Sequence, residues 1–206
     1  MRGSKVLAVL AAGWLSACSQ TAHDAGSHDM QASLDKLRSM IAQSALMASQ
    51  AVCATPAERS PLIAASTVLL RRATSGPEMT ALHRMMGGEM NMDKEGGMAM
   101  DKSKTPSSPD QAMHIAVHAA GGATFDLLDA ATAPPGLSCA DLGPVAVAAS
   151  AALLRQQHGE GGDEATKKLE KDMDDTAVKL GGEAKQSLGE QVPAVVRTLV
   201  EDLAKI

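Results

Sequence analysis

The chain has 206 residues, with 19 Lys+Arg against 24 Asp+Glu and a formal charge of −5. That balance argues against nucleic acid as a partner and against electrostatic adhesion to an anionic membrane. Aromatic residues make up only 1% of the chain, and its apolar content is mostly Ala, Leu and Val, which favours closely packed helices over a sheet.

The first eighteen residues carry an address. Arg2 and Lys5 form a short basic start, and Val6 to Leu15 is almost wholly apolar. At about ten residues this run is too short to span a bilayer, which needs roughly 20, but it suits the apolar core of a secretory leader. It ends in Leu15-Ser16-Ala17-Cys18, which resembles the lipobox of bacterial lipoproteins. The resemblance covers only these residues. It implies removal of residues 1–17, lipidation of Cys18 at its sulfur and amine, and a lipid anchor in a membrane. Ser19 is similar to the residue found there in outer-membrane lipoproteins, which implies a cell-envelope location on the periplasmic face of the outer membrane. An ordinary leader, with Cys18 incidental, is the alternative, and under either the chain is exported. Loss of Arg2 and Lys5 takes the formal charge from −5 to −7.

Residues 18–28 are small and polar and read as a lipidated tether, in which His23 and His28 are solvated. Residues 29–206 are long enough for one domain with a sizeable core. From Asp29 the pattern turns helical: Met30, Leu34, Leu37, Ile41, Ala45, Ala48 and Val52 recur at spacings of three and four, one stripe of a helix ending near Cys53. Ser60-Pro61 reads as a cap followed by proline at the first helical position, opening a second helix that stops at Gly76-Pro77. A third starts at Pro77-Glu78 and places Met79, His83 and Met86 on one face before Gly87-Gly88 interrupts it. Residues 91–107 follow no helical or strand period, and 85–107 reads as a flexible Met-rich loop.

Ser108-Pro109-Asp110 repeats the cap-plus-proline device and starts a helix through about Ala131. Pro134-Pro135-Gly136 ends it. The segment Ile63–Arg72 then aligns with Val147–Gln156 at six identities in ten, and each copy follows a long helix, a cysteine and a proline. That order predicts two related helical hairpins. Residues 163–180 form a charged helix with Leu169, Met173, Ala177 and Leu180 on its apolar stripe, ended by Gly181-Gly182. A last helix carries Leu188, Val192, Val195, Val196, Leu199, Val200, Leu203 and Ile206 on a 3.6-residue period. The expected fold is an all-α bundle of two hairpins plus C-terminal helices.

With Cys18 lipidated, Cys53 and Cys139 remain. In an oxidising compartment they are expected to form one disulfide; two thiolates serving as copper ligands is the rival reading.

Chemistry concentrates between Met79 and His118. Eight of the thirteen methionines fall there, with three of the six histidines. Met85, Met86, Met90, Met92, Met98 and Met100 are candidate thioether donors, several of them among Gly, Asp, Lys and Glu where no core face can form. His114 and His118 stand four apart, one turn of helix, a spacing at which two imidazoles chelate one ion. His83 precedes the Met-rich loop and completes the candidate metal set. Soft sulfur with imidazole suits Cu(I) and related ions. The stretch resembles, in composition, the Met/His-rich segments of bacterial envelope copper-handling proteins, which implies capture of Cu(I) or Ag(I) for tolerance or for delivery to another copper-handling protein. No phosphate loop, nucleophile elbow or Glu-x-x-His pair points to an enzyme. The alternative is a non-catalytic helical lipoprotein with a structural or protein-interaction role.

Overall fold

The computed structural model describes the backbone of residues 7–86, 106, 108–132, 136–157, 163–189 and 192–206, with side chains from Asp29 onward. Among the described residues seven α-helices follow one another: α1 (Leu7–Cys53), α2 (Pro56–Ser75), α3 (Pro77–Met85), α4 (Pro109–Thr132), α5 (Gly143–Gln157), α6 (Glu164–Ser187) and α7 (Ala194–Leu203). A 3-10 turn over Cys139–Leu142 leads into α5. No strand occurs among the described residues, and the architecture is an all-α bundle. None of the described helices is long and apolar enough to cross a membrane.

The 47-residue α1 is the spine. Its backbone is helical from Leu7, through the stretch read as leader and tether, and its described side chains begin to pack at Met30. Leu34, Leu37, Ile41, Ala45 and Ala48 are buried as the spacing predicts, with Met30 and Val52 partly buried at the two ends of the stripe. Against α1 lie α2, α4 and α5, with α3 docked on α1 and α2. The pair α1–α2 forms a hairpin. The α4–α5 pair is opened out, so that α5 packs on α1 and α6 while α4 packs on α1, α2 and α7. Small residues set the spacing: a side chain at Gly121 of α4 would begin 3.1 Å from Thr74 Cγ2 on α2 and 3.7 Å from Ile41 Cδ1 on α1.

Three boundaries differ from the sequence reading. Helix α2 starts at Pro56, not at Ser60-Pro61, because Glu58 accepts from both the Thr55 backbone N–H (3.2 Å) and the Thr55 hydroxyl (2.8 Å) and so ties the first turn. Pro61 lies inside the helix at an exposed position. Helix α6 runs through Gly181-Gly182 to Ser187, and its buried face is Ala177, Gly181 and Ala184, leaving Leu169 about half exposed. A Cβ at Gly181 would make only an ordinary contact with Ala204, at 3.8 Å. The last helix begins at Ala194, while Leu188 packs into the core from the end of α6.

Cys53 and Cys139 have their Sγ atoms 2.01 Å apart, a disulfide spanning 86 residues of sequence. Neither sulfur is then a thiolate, and the rival reading of paired thiolate ligands gives way. The bridge pins the end of α1 to the turn before α5, where Asp141 accepts from the Ser138 backbone (2.9 Å) and hydroxyl (2.6 Å) in the same device as Thr55 and Glu58.

Candidate metal centre

Helix α4 presents His114 and His118 on one face because they stand one turn apart. Helix α3 presents His83, one residue after Leu82, which is fully buried and anchors the helix with Met79. The three imidazoles converge. Their Nε2 atoms lie 2.9 Å apart for His83 and His114, 3.1 Å for His114 and His118, and 3.4 Å for His83 and His118. The rings of His83 and His118 are nearly parallel at 10°, and His114 stands edge-on to both at 81° and 84°. His114 is fully buried, and the other two are half-buried.

This arrangement is poorly satisfied without a cation. A neutral imidazole has one N–H, so three Nε2 atoms facing one another present either converging lone pairs or a proton that the other two must share. His114 Nδ1 is buried with no hydrogen-bond partner. If His114 carries its proton on Nδ1, as ligation through Nε2 requires, that N–H meets no acceptor, which keeps the ligand weakly basic.

The electrostatics keep the lone pairs available. Burial pushes the His114 imidazolium down to about 4, with the positive charges that His118 and His83 would carry pushing the same way. His118 is lowered as well, first by burial and then by His83. Both are therefore neutral at near-neutral pH, the form that binds metal. The three Nε2 separations define a triangle whose corners lie about 1.8 Å from its centre, close to the Zn–N bond length of about 2.0 Å, so His83, His114 and His118 could together hold one ion. No other group of three His, Cys, Asp or Glu among the described residues comes together in this way.

The other expected donors are placed differently. Met85 closes α3 and is 38% exposed; Met86 follows it, partly buried against the core. Met90, Met92, Met98 and Met100 lie outside the described residues, as does the Cys18 side chain. Sequence spacing alone reached the His114–His118 pair. The approach of His83 depends on how α3 docks, and no periodicity encodes that.

No family model matches the sequence, and no curated protein or solved structure shows significant similarity to it.

Proposed function

We propose that the protein binds a transition-metal ion through His83, His114 and His118, and that copper is the ion it handles. The observation that carries this reading is the convergence of three imidazole ring nitrogens within 3.4 Å of one another. Imidazole donors favour Cu(II) over the other common divalent ions in the Irving–Williams order, and they also accept Cu(I). The methionines that crowd the same stretch of sequence, Met85 and Met86 first among them, bias the choice toward copper and Ag(I) and away from zinc. With Cys18 lipidated and residues 1–17 removed, the bundle would be held at the envelope membrane as a capture or delivery protein rather than an enzyme. All three imidazole ligands are neutral, so the ion keeps its charge and binding is reversible by acid.

The test is an anaerobic Cu(I) titration of the purified protein against a colorimetric chelator, with parallel Cu(II) and Zn(II) titrations. Wild type, a His83→Ala/His114→Ala/His118→Ala variant and a variant lacking residues 87–100 are compared. One tight copper equivalent that disappears in the histidine variant is the expected result. Equal, weak binding in all three overturns the reading.

A further inference from the structure

Helix α3 has nine residues, fewer than the roughly 12–15 that an isolated helix needs to be stable in water, so its position is set by what holds it. It docks on α1 and α2, whereas the other two histidines belong to α4. The third ligand is therefore delivered by an element that packs chiefly on α1 and α2 rather than on the helix carrying the first two.

Glu78, in the first turn of α3, supplies the polar hold. Its Oε1 accepts from Lys36 Nζ of α1 at 2.5 Å and from Arg72 Nη2 of α2 at 2.8 Å, and the Glu78 side chain is only 12% exposed. The two cations hold the Glu78 carboxyl down at about 2, Arg72 contributing most, so it is ionised at any working pH. A carboxylate here also complements the positive end of the helix dipole. The corner before it is equally constrained. The Gly76 N–H donates to the Arg72 carbonyl at 2.9 Å, and a Cβ at Gly76 would lie 2.2 Å from that same oxygen. Arg72 thus closes the α2–α3 corner with its backbone and grips α3 with its side chain.

We infer that Glu78, bridging Lys36 and Arg72, is a positioning residue for the metal centre: it fixes the angle at which α3 leaves the Gly76 corner and so brings His83 to His114 and His118. This inference rests on the metal-binding reading. Without the bridge, Met79 and Leu82 still bury α3, but its charged end is free to pivot. The site then falls back toward the two imidazoles of α4.

The experiment loads the full-length protein with one equivalent of Cu(II) and records affinity by chelator competition and nitrogen hyperfine structure by electron paramagnetic resonance. Glu78→Gln should lower affinity toward that of His83→Ala, and its spectrum should move in the same direction. A Lys36→Met/Arg72→Met variant, which leaves Glu78 in place, should do the same. Far-UV circular dichroism checks folding of each. Asp175→Asn, which removes an exposed pair with Lys171 on α6, should change neither readout. Wild-type affinity and spectrum in both bridge variants, with loss in His83→Ala, would overturn the positioning role and leave the centre standing. Wild-type behaviour in His83→Ala and His114→Ala as well would overturn the centre itself.

Discussion

Replacing His114 by Leu should make the apoprotein more stable and remove its response to metal. His114 is fully buried, and its Nδ1 has no partner. A buried polar group left unsatisfied costs about 1–3 kcal/mol, and Leu occupies a similar volume without that cost. In chelator at pH 7.5 the variant should gain about 1–2 kcal/mol. Acid should widen the gap. His114 protonates near 4 in the fold and near 6.5 when unfolded, so between those values the unfolded chain binds the proton and the native state does not. Stability of wild-type apoprotein therefore falls as the pH drops from about 6.5 through about 4, by at most about 3.4 kcal/mol from this group, whereas His114→Leu lacks the loss. Metal reverses the order. An ion at 100 times its Kd stabilises the protein that binds it by about 2.7 kcal/mol, and the variant should gain less than 1 kcal/mol. Urea unfolding followed by far-UV circular dichroism reads all three quantities. If His114→Leu proves 2 kcal/mol less stable than wild type in chelator, His114 is a packing residue and this reasoning fails.

Other consequences can be checked separately. Reducing the Cys53–Cys139 bridge, or replacing both residues by Ala, should cost about 4–5 kcal/mol in the chain-entropy model, read as a lowered urea midpoint; a loss below 1 kcal/mol would contradict it. Glu78→Gln should destabilise the protein by about 1 kcal/mol at pH 7, solvent screening keeping it below the full effect of the shift. Because the Glu78 carboxyl is depressed to about 2, its contribution is present above about 4.5 and lost as the pH falls through 2, so the variant and wild type should converge there in acid denaturation. Gly121→Val should cost about 1–3 kcal/mol because its side chain would press on Thr74 and Ile41. Gly182→Ala, with open space around it, should raise stability by up to about 1 kcal/mol; thermal melts of the two variants should move in opposite directions.

Much of the bundle was legible because its helices bury regular stripes. Leu34 to Ala48 on α1 and Val196 to Leu203 on the last helix follow the 3.6-residue period with no competing signal. Errors fell where two local rules competed. Ser60-Pro61 carries the same cap-plus-proline pattern as Thr55-Pro56, and only the latter is completed by a carboxylate three residues on, Glu58. Gly181-Gly182 reads as a stop, yet the helix continues to Ser187, with Gly181 buried on its packed face beside Ala177 and Ala184. The candidate centre was legible in part for a similar reason. His114 and His118 share a helix face, so their spacing announces them. His83 joins them through the docking of a nine-residue helix, which depends on Glu78, Lys36 and Arg72 on three separate helices. No local window of sequence contains that information.

The central claim is that His83, His114 and His118 hold one metal ion. X-ray absorption of the protein loaded with a single equivalent of copper addresses it most directly. Three imidazole nitrogens at about 2.0 Å, absent when all three histidines are replaced by Ala, is the predicted result. A spectrum dominated by sulfur, or one unchanged in the triple variant, would contradict it.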